Sequence, residues 1–412
     1  MANDVAVVTP WYPSAQMPFR GAFVRAMVEA TAPGTRTTVY HTDLWGGRLS
    51  SDVDAEVSRA YRMLLPHADL SSRTVGGAEL VSIPVPMPRA RPFAEQAERA
   101  ATALELALGG ERIPAPVVHA HVGLLGGLPA LRRKRADARL FVTEHATFLD
   151  RMLDEPDGRS AYADVLAAAE AFFVVGDPLR RQLAGAFPRY EGKLRALPNP
   201  IDFDAPRPAP VTALRRWLFV GGLIERKGVR WLLEAFAICR RDDRALTLTL
   251  VGDGELRPEL EERTAQLGLA DAVTFLGAVP PAVALRLMRE HDVLVHPSRY
   301  ETFGVTVVEA VAAGLPVIVT RCGGPEQTLA GIESDAGELV DVEDGAGAIV
   351  AGYRRLRDRF PGGVDLQVAR RALAERFGYQ AVARLHHDAW FPTMAASAGE
   401  GGHARPVPGA RR

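Results

Sequence analysis

Two glutamates separated by seven residues, Glu301 and Glu309, are the side chains whose setting most suggests chemistry. They lie in His296-Pro-Ser-Arg-Tyr-Glu-Thr-Phe-Gly-Val-Thr-Val-Val-Glu-Ala-Val-Ala-Ala-Gly-Leu-Pro-Val-Ile. The pattern predicts a strand ending at His296, a loop carrying Glu301, and a helix from about Gly304 to Ala313 that Gly314 stops. A helix start beside the carboxyl end of a strand offers free backbone N–H groups and the positive end of the helix dipole, a seat suited to a diphosphate. Glu309 falls among Val305, Val307, Val308, Ala310 and Val311, on a helix too apolar for a surface element. A carboxylate there is costly unless something pairs with it, and two ribose hydroxyls would supply donors. An edge glutamate facing solvent, or one bridged to a neighbouring helix, fits the spacing as well. For Glu301 taken alone, a solvated loop carboxylate is the plainer reading.

Other residues add to this constellation. Phe219-Val-Gly-Gly-Leu-Ile-Glu-Arg-Lys-Gly-Val contains Lys227, one of only three lysines among 49 basic residues. A lysine kept where arginine is the habit hints at a need for its compact charge, although a solvated lysine before a helix is the ordinary case. Leu250-Val-Gly-Asp-Gly-Glu-Leu places Gly252 in a turn that lacks the third glycine of a dinucleotide fingerprint, so it supports no NAD site. In Arg321-Cys-Gly-Gly-Pro-Glu, Gly323 and Gly324 allow a close backbone approach. Val118-His-Ala-His and Phe141-Val-Thr-Glu-His both end strands on histidine. For His119 and His121 a structural histidine bonded to backbone is the plainer reading.

These residues need a frame to converge. Short β-branched runs alternate with amphipathic helical stretches, which argues for parallel sheets wrapped by helices. In the first half the expected strands are Val5–Val8, Thr37–Tyr40, Pro116–His119, Arg139–Thr143, Ala171–Val175 and Leu194–Leu197. Helices are expected between them, as at Ala22–Ala30, Ala94–Leu108 and Ala161–Ala169. The stretch Leu44–Pro92 is irregular and is expected to hold a hairpin of short strands and a mobile loop. Five prolines within 13 residues from Pro198 read as an interdomain linker. The rhythm then restarts, with strands at Arg216–Val220, Leu246–Val251, Val273–Phe275, Val293–His296 and Pro316–Val319. The expected architecture is α/β: an N-terminal Rossmann-like domain (1–198), a linker (199–212) and a C-terminal Rossmann-like domain (213–376). A C-terminal helix (377–396) is expected to pack back towards the first domain, with a disordered tail over 397–412. Ligands of such sheets bind at the carboxyl ends of the strands.

A chain of 412 residues can bury two cores. Its net charge of −1 gives no bulk attraction for nucleic acid or an anionic membrane. Cys239 and Cys322 are the only cysteines and form no Cys-x-x-Cys pair, so neither a disulfide framework nor a structural zinc site is expected, and a reducing cytoplasm fits. The first residues enter a strand without a basic lead-in and do not read as a signal peptide. No apolar run approaches the ~18 residues of a membrane span. Leu131-Arg-Arg-Lys-Arg is a basic cluster that reads as a solvated helix end, so membrane contact is expected to be peripheral at most.

Taken together, the stretch from His296 resembles the Glu-x7-Glu signature of retaining glycosyltransferases of family 4, which have the GT-B fold of two Rossmann-like domains facing across a cleft. The resemblance implies that Glu301 contacts hydroxyls of a donor sugar and Glu309 grips the ribose, some 12 Å apart at ~1.5 Å per helical residue. Phe303 and Gly304 would lend backbone N–H groups to sugar or phosphate. The loop of Phe219–Val229 looks like the family's phosphate loop, where Lys227 would neutralise the donor diphosphate. This chain departs from the pattern in having Gly222 where many members carry Arg; Arg226 either compensates or faces water. Gly252 and the Gly323-Gly324 loop match the family's glycine-rich turns near the nucleotide and the donor sugar. Thr9-Pro-Trp-Tyr-Pro-Ser…Arg20-Gly-Ala-Phe-Val is similar to one branch of the family, and Gly21 would complete the diphosphate site. His145 matches a first-domain histidine near the transferred sugar, with Glu144 orienting its loop.

The implied reading is a retaining, metal-independent transferase moving a hexose-like unit from a nucleoside diphosphate sugar to a hydroxylated acceptor, with the linker as hinge. Catalytic roles fall to His145, Lys227 and Glu301. No cofactor, metal or nucleic acid is expected. A non-hydrolysing sugar-nucleotide epimerase and a catalytically decayed nucleotide-sugar-binding protein remain the alternatives.

Overall fold

Strands whose residues are apolar throughout must be covered on both faces, and that dictates the layers here. The computed structural model describes residues 3–14, 17–49, 61, 63, 65, 70–73, 77–88 and 91–392. In the N-terminal domain β1 (Asp4–Thr9), β2 (Arg36–Leu49), β3 (Ser71–Arg73), β4 (Glu79–Pro88), β5 (Val117–His121), β6 (Arg139–Glu144), β7 (Ala171–Val174) and β8 (Leu194–Ala196) form one sheet. Its order is β3-β4-β2-β1-β5-β6-β7-β8, parallel except for β3 against β4. Every residue of β5 and β7 is buried.

The C-terminal domain repeats the design with β9 (Arg216–Val220), β10 (Thr247–Val251), β11 (Val273–Gly277), β12 (Val293–His296), β13 (Val317–Thr320) and β14 (Gly337–Val340). These six strands run parallel in the order β11-β10-β9-β12-β13-β14. The two expected Rossmann-like sheets are therefore present. In each, the strand order reverses beside the first strand, at β1/β5 and at β9/β12, which opens a crevice at the carboxyl ends.

The edge of the first domain departs from expectation. The stretch expected to be irregular contains β4, ten residues long and paired in parallel with β2, so the hairpin β3–β4 extends the main sheet. Prolines at 84, 86 and 88 in β4 hid it. Much of the rest of Leu44–Pro92, and the tail 397–412, lie outside the described residues.

The proline-rich segment is not a free hinge along its length. Phe203 O accepts from Arg370, Arg207 N–H donates to Ala313 O at 2.9 Å, and Arg207 Nη1 donates to His291 O at 2.8 Å. These bonds fasten it to the C-terminal domain. The chain crosses between domains higher up, where Ile201 pairs with Gly378 and its N–H donates to Phe377 O at 2.8 Å. The helix Tyr379–Trp390 then lies on the first domain: Arg139 Nη1 donates to Trp390 O at 2.6 Å and Trp390 Nε1 donates to His119 Nδ1 at 3.0 Å.

The basic cluster at the end of the helix Gly127–Arg133 is neutralised locally. Arg132 pairs with Glu98, Arg133 with Glu105 and Arg135 with Asp137, while Lys134 Nζ donates to Ala138 O at 3.0 Å. Among the described residues no helix is long and apolar enough to cross a membrane.

Candidate active site

Three helices at the cleft begin on a glycine in the left-handed region: Gly21 (φ 70°), Gly228 (φ 65°) and Gly304 (φ 87°). At Gly21 and Gly228 the reason is also steric, since a Cβ would meet Trp11 O at 2.2 Å and Pro297 O at 2.0 Å. Such close approaches lock each helix start against a neighbouring loop. The helix led by Gly304, Val305–Ala312, starts beside the end of β12, and the first N–H groups of any helix lack intrahelical partners.

Between the domains lies a cavity of about 270 Å3. From the C-terminal side it is lined by Lys227, His296 and the run Glu301–Thr306; from the N-terminal side by Trp11, Phe23, His145, Thr147, Val175 and Asn199. Of the residues singled out in the sequence, the structure thus brings His145, Lys227, Glu301, Phe303 and Gly304 to one cavity. Gly21, Gly222, Arg226, Gly252, Glu309, Gly323 and Gly324 are not among its lining residues. Gly21 supports Trp11, and Gly252 N–H donates to Gly277 O at 2.8 Å while its Cα packs against Gly221. Gly324 N–H donates to Glu301 O at 2.9 Å, and Gly323 pairs with Glu301. Gly222 has open space around it, its nearest neighbour being 3.8 Å from where a Cβ would stand.

Glu301 is no loose loop carboxylate. Its Oε1 accepts from Lys227 Nζ at 2.5 Å and from Ser298 Oγ at 2.6 Å, and lies 2.9 Å from His296 Nε2. Arg226 stands 3.8 Å away and donates to Tyr300 O at 2.7 Å, its side chain remaining 30% exposed. Burial opposes the Glu301 charge, but Lys227 and the bond from His296 outweigh it and hold the carboxyl well below the usual carboxylate range. Burial pushes His296 down. The sequence alone does not single out His296 and Ser298 as functional residues, though a histidine ending the wholly buried strand β12, with a serine two residues on, was the available signal.

Glu309 is the opposite case. It is half-buried on the helix Val305–Ala312, and among the described residues nothing bonds to its carboxyl. Burial alone pushes it up to about 7. A carboxylate in that state favours a ligand that brings donors.

Across the cleft, His145 is buried, its Nε2 2.9 Å from His121 Nδ1 and its ring 4.5 Å from that of Phe23. Glu144 builds the loop below it: Oε1 accepts the N–H groups of His145 and Ala146 at 2.8 Å each, and Oε2 accepts from Gly123 N–H at 3.0 Å and Tyr162 OH at 2.6 Å. Its carboxyl is raised by burial, against those four bonds. His119 bonds to Thr143 Oγ1 at 2.7 Å, so it and His121 engage side chains rather than the backbone expected of them.

Comparison with known proteins matches both halves. A model described as Glycosyltransferase Family 4 matches residues 57–205, and one described as Glycosyl transferases group 1 matches residues 215–358. The D-inositol 3-phosphate glycosyltransferase of Nocardia farcinica is 30% identical over 270 residues, 58% of this chain and 60% of that protein. The matched segments span between 27% and 69% of the curated relatives' own lengths. Among solved structures, the sucrose-phosphate synthase of Thermosynechococcus elongatus superposes with a TM-score of 0.73 at 19% identity, covering 95% of this chain and 98% of that one. The HepE protein of Anabaena in complex with UDP-glucose superposes with a TM-score of 0.66 at 17% identity, covering 94% of this chain and 98% of that one.

Proposed function

Since the chain belongs to glycosyltransferase family 4 and has the GT-B fold, we propose that it transfers a hexose-like sugar from a nucleoside diphosphate donor to a hydroxylated acceptor, with retention of anomeric configuration. One observation carries the reading. Lys227, Glu301 and the Gly304 helix start meet at the switch point of the C-terminal sheet, in a cavity whose far wall is His145. In the proposed reaction the diphosphate lies against Lys227 and the helix start, which stabilise it as its charge grows. Arg226 supplies the second cation in place of an arginine at Gly222. Glu301 accepts sugar hydroxyls, and Glu309 accepts the ribose hydroxyls that its empty carboxyl lacks. The bond from the anomeric carbon to the diphosphate breaks as the acceptor oxygen bonds to that carbon on the same face. The acceptor proton passes to the departing phosphate oxygen. Cations from the chain carry the countercharge in this scheme, so it needs no metal.

The named relatives suggest the first substrates to try: a UDP-hexose as donor and a phosphorylated polyol as acceptor. A thermal-shift screen of UDP-, GDP-, ADP- and dTDP-sugars finds the donor. Incubation with acceptors, followed by NMR of the product's anomeric proton, tests transfer and retention together. An inverted product, or interconversion of sugar nucleotides with no acceptor present, would refute the proposal.

A further inference from the structure

Behind His145 a column of rings runs through the first domain: His121, His119, then His386 and Trp390 on the C-terminal helix. The plane of His119 lies within 8° of that of His121, with centroids 4.8 Å apart, and Trp390 meets His119 edge-on at 5.5 Å. The proton positions can be followed from one end. An indole N–H only donates, so the 3.0 Å bond from Trp390 makes Nδ1 of His119 an acceptor. The His119 proton is then on Nε2 and is given to Thr143 Oγ1 at 2.7 Å. His119 thus has no proton to share with His121.

The rings of His121 and His145 stack at 5.2 Å, and the hydrogen-bonding contact between them is Nδ1 to Nε2 at 2.9 Å. The two other nitrogens, His121 Nε2 and His145 Nδ1, are buried without a partner among the described residues. Burial holds both rings well below the ordinary imidazole range, His145 down to about 3, so near neutral pH each ring carries one proton. Were His145 to donate, the proton of His121 would sit on Nε2 in the interior with nothing to accept it. A buried N–H left unpaired is rare in folded proteins. If His121 donates instead, its Nε2 is a bare lone pair, and the proton of His145 falls on Nδ1. That nitrogen is also buried and unpaired, but its ring lines the cavity and the ring of His121 does not, so of the two protons only this one sits on a ring that a ligand in the cavity touches.

We propose that His121 is a positioning residue which fixes the tautomer of His145, so that the first-domain wall offers its ligand an N–H donor rather than a bare nitrogen. Resting on the sugar-transfer reading, the ligand atom so engaged is a sugar oxygen acting as acceptor. Neither histidine needs to ionise for this. A second-layer residue that sets a ring's tautomer acts through the first ring and touches no substrate itself.

The tautomer is measurable directly. Long-range 1H–15N correlation spectra of the full chain with 15N-labelled histidine, with His145 assigned from a His145→Asn sample, should show His145 as the Nδ1–H form. An Nε2–H form in the wild-type protein would overturn the proposal, whatever the enzyme does. His121→Leu should lose that form and lower kcat about 10- to 100-fold, while the donor KM stays within about threefold. His121→Asn, whose amide can donate from the place of Nδ1, should recover most of the rate. An unchanged tautomer in His121→Leu would also sink the idea. The Nδ1–H form found in a protein without transferase activity would uphold the tautomer and refute the sugar-transfer reading alone.

Discussion

The two walls of the cleft are built from opposite materials. The C-terminal wall is ionic: Lys227 and Arg226 both stand within 4 Å of one oxygen of the Glu301 carboxylate, and further along the helix that starts at the wall Glu309 is half-buried with no partner among the described residues. The N-terminal wall is neutral: Trp11, Phe23 and a histidine whose charge is suppressed by burial, over a loop tied down by Glu144. The difference teaches a division of labour. Fixed charges suit a diphosphate whose charge grows during reaction, whereas a neutral wall discriminates hydroxyl geometry without competing for the phosphates. If that division is right, damage to the ionic wall should appear in turnover and donor affinity, and damage to the neutral wall in transfer alone.

The largest effect should come from Lys227→Ala. It removes the cation nearest the cavity and leaves Glu301 as a buried charge with fewer donors, so kcat should fall about 1,000-fold. Donor affinity, read by calorimetry, should fall less than about tenfold, because the countercharge matters most as the leaving group develops. Equal losses in both would blur the distinction between growing and resting charge. Next, His145→Ala should lower transfer about 100-fold while nucleoside diphosphate binding stays within about threefold. A collapse of nucleotide binding in this variant would break the comparison outright.

Much of this layout was legible in the sequence because it is local. Strand ends, the helix stop at Gly314 and the glycine at the head of each cleft helix follow from neighbours in the chain. Membership of Glu301 and Glu309 in one loop–helix unit was equally plain. The illegible part is what folding brings from afar. Lys227 and Glu301 meet across 74 residues, and Glu144 closes on Tyr162 across 18. Trp390 reaches His119 across 271 residues. The fastening of the proline segment by Arg370 and Arg207 was likewise invisible, since proline content forbids helix but says nothing of what the backbone carbonyls accept. That is why the segment read as a hinge when most of it belongs to the C-terminal domain.

Glu309→Gln gives a middle-sized effect with a pH signature. The carboxyl sits near 7 in the folded protein against an ordinary 4.5, so the folded state holds its proton more tightly than the unfolded chain. Any stability from that proton is therefore complete below about pH 4.5 and lost as pH climbs through 7. At pH 8 Glu309→Gln should unfold at higher urea, by on the order of 2 kcal/mol, and at pH 4.5 it should match the parent. Donor affinity should move the other way. It should strengthen in the parent from pH 6 to pH 8, as the carboxylate becomes free to accept hydroxyls, and be flat and weaker by about tenfold in the variant. A parent whose affinity ignores pH would remove Glu309 from the ionic wall.

The smallest expected effect is a gain. Gly222 stands where the family pattern has arginine, yet its backbone does not require glycine, and a Cβ there would have no neighbour closer than 3.8 Å. Arg226 already turns towards Glu301 at 3.8 Å, beside Lys227. If Arg226 serves as the second cation, a further arginine adds a charge to a wall already supplied, and screening at a half-exposed position keeps its worth small. Gly222→Arg should then fold normally and tighten donor binding by about two- to fivefold, with the gain fading at high salt. Gly222→Arg combined with Arg226→Ala should retain near-parental affinity, whereas Arg226→Ala alone should lose it. A tenfold or greater gain from Gly222→Arg alone would mean that Arg226 supplies no second cation and that the ionic wall of the natural protein is incomplete.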